Sequence, residues 1–175
     1  ADIYVAYDRR ASVLPNWLSS QFTKVSGMTV GASEPNLSYF NLYKKTLNEA
    51  GEVFLGGNYA SPANGAQISY VVFVVEKEVV NTPTPTPSSL PTLPSPTPSP
   101  PVSTPSGLTI SDLNVSNGKS YQVDKVSRGG LLYIDRNYTI TSFPVGFNNG
   151  LIIKTAADDK FETATSFLRF RVNRA

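Results

Sequence analysis

The chain has no cysteine and no histidine among its 175 residues, and these two absences exclude more chemistry than any motif present supplies. Without Cys there is no disulfide, no thiolate nucleophile and no zinc-thiolate site; without His there is no imidazole base and no imidazole metal ligand. Ser-His-Asp and Cys-His mechanisms are therefore excluded, leaving only carboxylates, Lys, Tyr or a hard metal. The missing disulfides do not argue against secretion, because a domain of this size is held together by its core alone. Charge is scarce too. Only 16% of residues are charged, the net charge is +2, and no Lys/Arg cluster interleaves with aromatics, so the footprint that nucleic acid or an anionic membrane requires is absent. The longest apolar run, Tyr70 to Val75, is far below the roughly 20 residues that span a bilayer, and no signal-peptide pattern stands at the start. Neither nucleic acid nor membrane insertion is expected.

Proline, by contrast, is concentrated in one place. Ten of the fourteen prolines fall between Pro83 and Pro105, and no charged residue occurs between Glu78 and Asp112. Proline fixes φ and removes amide donors, so this segment joins no sheet and forms no helix; polyproline II is its natural state. At about 3.1 Å per residue, its 25 Thr/Ser/Pro-rich residues from Thr82 to Ser106 reach on the order of 80 Å. Alternating Thr-Pro and Ser-Pro is the composition of O-glycosylated stalks. The candidate attachment positions are Thr82, Thr84, Thr86, Ser88, Ser89, Thr92, Ser95, Thr97, Ser99, Ser103 and Thr104; the alternative is an unmodified spacer. The chain divides accordingly into residues 1–78, a linker over 79–106, and residues 107–175.

Both flanking segments carry the period of strands. Residues 2 to 7 alternate with β-branched and aromatic content, and Ser69 to Val75 is a Val-rich run of the buried-strand kind. Further strands are expected at Tyr39 to Tyr43, Glu52 to Leu55, Ser120 to Val126, Leu131 to Ile134, Leu151 to Thr155 and Ser166 to Val172. In the last, Phe167, Arg169 and Arg171 alternate with Leu168, Phe170 and Val172, the pattern of a half-buried antiparallel strand. Turn signals separate them at Asn117-Gly118, Gly129-Gly130, Asn148-Asn149-Gly150 and Gly56-Gly57-Asn58. No long helical period is present, and Asn16 to Phe22 offers at most a single turn. The expected fold is all-β, an antiparallel β-sandwich of jelly-roll or Ig-like type, split by the polyproline-type linker.

Placed end to start, Ser166-Phe167-Leu168-Arg169-Phe170-Arg171-Val172-Asn173-Arg174-Ala175 followed by Ala1-Asp2-Ile3-Tyr4-Val5-Ala6-Tyr7 has the pattern of two strands joined by a short polar turn, as in a hairpin. In that spliced order the chain resembles a β-sandwich module of bacterial secreted and surface proteins, often found beside polysaccharide-degrading enzymes. The resemblance rests on Tyr133-Ile134-Asp135-Arg136 and Lys154-Thr155-Ala156-Ala157-Asp158-Asp159-Lys160 before a Val-Asn strand, then Tyr4-Val5-Ala6-Tyr7-Asp8-Arg9-Arg10, Pro15-Asn16-Trp17-Leu18 and Leu55-Gly56-Gly57-Asn58. It covers both globular halves but not the linker, and it implies that the half written second here comes first in the module. A circular permutant, a window cut from a tandem repeat, and a polymer with an arbitrary numbering origin all fit; the last two are favoured. Each complete sandwich then pairs residues 107–175 of one copy with 1–78 of the next, or with the same chain, by tandem repetition or by strand complementation between subunits.

Few residues invite chemistry. Asp158-Asp159, near Asp135 and Asn148-Asn149, offer oxygen ligands to Ca²⁺, but the spacing matches no EF-hand and the alternative is a solvated turn with Arg or Lys partners. No other cofactor is suggested. Asp8-Arg9-Arg10 and Asp135-Arg136 either build a salt-bridged network or recognise acidic sugars, the structural role being favoured. Trp17, the lone tryptophan, and Tyr7 either stack on a sugar ring or sit in the core, and burial is favoured for Trp17. No Asp/Glu pair is singled out for glycoside hydrolysis, so no catalytic residue is assigned and an enzyme is not expected. Sequons at Asn36-Leu37-Ser38, Asn114-Val115-Ser116 and Asn137-Tyr138-Thr139 matter only in a host that glycosylates asparagine. Two functions remain: a structural or adhesive repeat of an extracellular or cell-surface filament, partnered by other copies of itself, or a carbohydrate-binding accessory module of a secreted polysaccharide-degrading enzyme.

Overall fold

The computed structural model describes residues 1–77 and 107–173. The linker, with its polyproline II expectation and its candidate glycosylation positions, lies outside the described residues. Ten strands are formed among those described: β1 (Asp2–Asp8), β2 (Thr23–Glu34), β3 (Leu37–Thr46), β4 (Gly51–Leu55), β5 (Val71–Val75), β6 (Thr109–Val115), β7 (Gln122–Lys125), β8 (Ile140–Ser142), β9 (Leu151–Lys154) and β10 (Leu168–Asn173). They make two sheets, one of seven strands in the order β7-β9-β5-β1-β3-β2-β8 and one of three in the order β4-β10-β6. Every ladder between them is antiparallel. The fold is all-β and sandwich-like.

Two cores explain the strand patterns. Ile3, Val5 and Tyr7 of β1 and Val72 and Val74 of β5 meet Val53, Leu55, Leu168, Phe170 and Val172 of the smaller sheet. The other face of the same strands, Tyr4, Ala6, Val71, Phe73 and Val75, packs with Phe40, Leu42, Ile140, Ile152, Leu132 and Phe147. Buried on both faces, β1 and β5 are apolar at successive positions and not merely alternating, because neither side of them meets water. β10 shows the alternation expected of a half-buried strand: Leu168, Phe170 and Val172 are buried while Arg169 and Arg171 are exposed. Pro15, held extended, precedes the helix α1 (Asn16–Gln21), which turns Trp17 and Leu18 into the first core.

Several expectations are corrected. Leu131 to Ile134 is not a strand; it makes only isolated bridges, Leu131 to Thr139 and Tyr133 to Thr155. Three strands carried too weak a pattern to be foreseen: β2 begins largely exposed, β8 has three residues, and β6 places Ser, Asp and Asn on a sheet edge. The hairpin expected across the two ends of the sequence does not form. β1 is flanked by β3 and β5 in one sheet and β10 by β4 and β6 in the other, so both edges of both strands are already paired. Their matching alternation has separate causes, two cores for β1 and one for β10.

Both sheets draw on both sides of the linker. β5 pairs with β9, β2 with β8, and β4 with β10.

Candidate functional site

Asp8 ends β1 with its carboxylate almost wholly enclosed, the residue being 1% exposed. Five nitrogens serve it. Arg10 donates from its backbone N–H and from Nε (both 2.9 Å) to Oδ1, and from Nη2 (2.8 Å) to Oδ2, while the backbone amides of Gln67 (2.7 Å) and Ile68 (3.2 Å) also donate to Oδ2. Burial alone would raise the carboxyl's pKa, but the hydrogen bonds from Arg10 and from the Gln67 amide hold it below the usual carboxylate range. The remaining Arg10 nitrogen, Nη1, donates to the Asn36 carbonyl (3.2 Å) and lies 3.7 Å from Glu34. One ion pair thus ties the end of β1 to the β2–β3 turn and to the 67–68 segment. Arg9 takes no part in it and lies over the Tyr39 ring, 4.7 Å from its centroid.

The second Asp-Arg motif works differently. Asp135 accepts the backbone N–H groups of Ala157 (2.7 Å) and Asp158 (3.1 Å), capping the 3₁₀ turn Ala157–Phe161. Arg136 pairs with Asp158 and stands 3.7 Å from Asp135. Asp159, buried on the other side of the turn, accepts from Asn117, Lys119 and the Tyr121 hydroxyl. Burial, then the bond to Asp159, pushes the Tyr121 phenol up, while the same carboxylate raises Lys119. Asp158 and Asp159 therefore serve different cations, Arg136 and Lys119; among the described residues no group of three or more His, Cys, Asp or Glu side chains is placed to hold a metal.

These two networks border one cleft of about 470 Å³, lined among others by Arg10, Glu34, Tyr59, Gln67, Arg136, Tyr138, Asp158, Lys160 and Phe161. Residues from six separate stretches of sequence converge there, and both halves of the chain contribute. Phe161 is its most open apolar group, 67% exposed. The Tyr59 ring meets it at 5.8 Å and 62°, and the Lys160 ammonium lies 5.0 Å from its centroid. Tyr59 is itself pinned, its hydroxyl accepting the Gly65 N–H at 3.1 Å. Lys160 makes no ion pair among the described residues.

Trp17 is in the core, as favoured from sequence, and so is Tyr7. Trp17 is 8% exposed, donates its indole N–H to the Gly57 carbonyl (3.0 Å), and packs against Phe22 and Tyr70. Tyr7 is fully buried and donates its hydroxyl to the Asn58 carbonyl (2.6 Å). Neither ring offers a face to a ligand, because each fills the core and spends its polar tip on backbone. The turn expected at Gly56-Gly57-Asn58 forms, with Ala60 N–H donating to the Gly57 carbonyl at 3.1 Å, and both glycines are also points of close approach: a Cβ on Gly56 would meet the Trp17 indole, and one on Gly57 the Glu162 carbonyl. Asn36, Asn114 and Asn137 of the sequons are all exposed. The aromatics that do line the cleft, Tyr59, Tyr138 and Phe161, were not singled out from sequence. The available signal was Phe161, an isolated aromatic between Lys160 and Glu162 in a polar loop. No family model, curated protein or solved structure matches this chain.

Proposed function

We propose that the chain is a non-catalytic structural or adhesive unit of an extracellular filament or surface stalk, in which sandwiches alternate with O-glycosylated Pro/Thr/Ser connectors. The observation that carries this reading is that the connector interrupts a core instead of separating two. Ile3, Tyr70 and Val72 from before it are packed with Leu168, Phe170 and Val172 from after it, so neither half encloses a core of its own. A compact body of 144 residues has a radius of gyration of about 15 Å and is roughly 35–40 Å across. A polyproline II connector reaching on the order of 80 Å is longer than that. A connector with that maximum reach is long enough to complete the sandwich of a neighbouring copy. The ladders β5–β9, β2–β8 and β4–β10 serve equally well between copies, as in strand complementation.

Negative-stain electron microscopy of the native material, with denaturing electrophoresis and glycan staining, tests the reading. Filaments giving a glycan-positive band near one unit, 18.9 kDa of protein plus sugar, are expected for subunits joined by strand exchange; a far larger species is expected for covalent repeats. Isolated particles of an unglycosylated monomer would refute it.

A further inference from the structure

The cleft between the two Asp-Arg networks has the chemistry of a ligand site, independently of whether copies join. Its lining sets three cations, Arg10, Arg136 and Lys160, against two carboxylates, Glu34 and Asp158, and Asp8 and Asp135 stand behind the two guanidiniums. Three positive and four negative groups leave a net charge of −1, which is too small to select a polyion. The polar groups are instead planar and of both kinds, carboxylates that accept, guanidiniums that donate, and the Gln67 amide that does both. They are held in place by bonds to one another, as in Arg10 to Asp8 and Arg136 to Asp158, so little ordering remains to be paid on binding. One largely exposed aromatic ring, Phe161, lines the cleft with them, its neighbour Tyr59 against it, and Tyr138 also lines the cleft. Phe161 keeps 67% of its surface exposed, which leaves the ring accessible to a ligand in the cleft. A pyranose presents the matching surface, since its hydroxyls donate and accept at once and its C–H face is apolar.

We propose that this cleft is a binding site for a neutral saccharide, with Phe161 as the stacking platform and Glu34, Gln67, Arg136 and Asp158 as hydroxyl partners. Two of the three cations, Arg10 and Arg136, are already paired with carboxylates, which leaves an acidic sugar only Lys160 to pair with.

The test is a titration of the ¹⁵N-labelled full chain with maltotriose, cellotriose and mannotriose, and separately with trigalacturonate. It is followed by heteronuclear NMR up to about 10 mM sugar, which saturates even a Kd of about 1 mM. At least one neutral trisaccharide is expected to shift the amides of Gln67, Asp158, Lys160 and Phe161, and trigalacturonate to bind no tighter. Phe161→Ala, which removes an exposed ring and leaves the core intact, is expected to weaken binding about tenfold, or about 1.4 kcal/mol. Val145→Ala, at the exposed Val145 on a different part of the surface, is expected to change nothing. No shift with any neutral sugar would overturn the proposal. So would shifts confined to other surfaces, trigalacturonate binding tenfold tighter, or undiminished affinity in Phe161→Ala.

Discussion

Asp8→Asn separates the energetic role of the buried ion pair from its geometry, since the amide is nearly the carboxylate's shape. Whichever way the amide turns, an NH₂ replaces an oxygen that now receives at least two donors: Arg10 N and Nε at Oδ1, or Arg10 Nη2, Gln67 N and Ile68 N at Oδ2. Hydrogen bonds to a charged group contribute about 1.5–3 kcal/mol each, and removing one partner of a buried pair costs about 3–5 kcal/mol. Arg10 keeps some solvent and Glu34 at 3.7 Å, which puts the loss at the lower end, about 3 kcal/mol. For a protein of this size that lowers Tm by about 6–12 °C. The pH dependence follows from the direction of the shift. Asp8 titrates below its unfolded value of about 3.9, so its contribution is complete above that value and disappears as the pH falls through the lower folded one. Urea midpoints of wild type and variant at neutral pH and down to about pH 3 check this, with the gap narrowing in acid. A difference under about 1 kcal/mol at neutral pH, or one that does not narrow, would refute the reasoning.

Two further substitutions probe the packing that unites the halves. Phe170→Ala removes a fully buried ring from the middle of β10, against both Val53 and the β1–β5 face, and is expected to cost about 3–5 kcal/mol in chemical denaturation. A loss below about 1 kcal/mol would mean the smaller sheet does not cover that core. Gly57→Ala drives a methyl into the Glu162 carbonyl and disturbs the acceptor of the Trp17 N–H. It is expected to cost about 1–3 kcal/mol and to red-shift the emission of the only tryptophan; a wild-type spectrum and midpoint would contradict the close approach.

The fold class was legible because period-two alternation and turn residues are local, and β1, β3, β4, β5, β7, β9 and β10 all lie where those patterns pointed. What alternation cannot report is the number of cores. In β1 the two alternating sets, Ile3-Val5-Tyr7 and Tyr4-Ala6, face different cores, whereas in β10 one set faces water. The same local pattern therefore suggested a hairpin between two strands that stand in opposite sheets. β2 and β6 escaped notice because their buried core residues, Val30 and Ala32 in β2 and Val115 in β6, come late in strands that are otherwise mostly exposed or half-buried and are held by ladders to β3 and β10. Trp17 lies in the core as favoured, and Tyr7 joins it there; the polar tips that a ligand would use are already occupied by the backbone carbonyls of Gly57 and Asn58.

The cleft was illegible for a different reason, and that reason has a thermodynamic consequence. Arg10, Glu34, Tyr59 and Gln67 come from before the linker, and Arg136, Asp158, Lys160 and Phe161 from after it, so no spacing in the sequence connects them. The site exists only when a first half and a second half are joined. Any ligand of the cleft therefore binds the joined sandwich and not the separated halves, and it stabilises the joined state by RT ln(1 + [L]/Kd), about 2.7 kcal/mol at a hundredfold excess over Kd. If the halves come from successive copies, that same free energy strengthens every junction along the filament, which makes occupancy of the cleft and continuity of the assembly a single linked equilibrium.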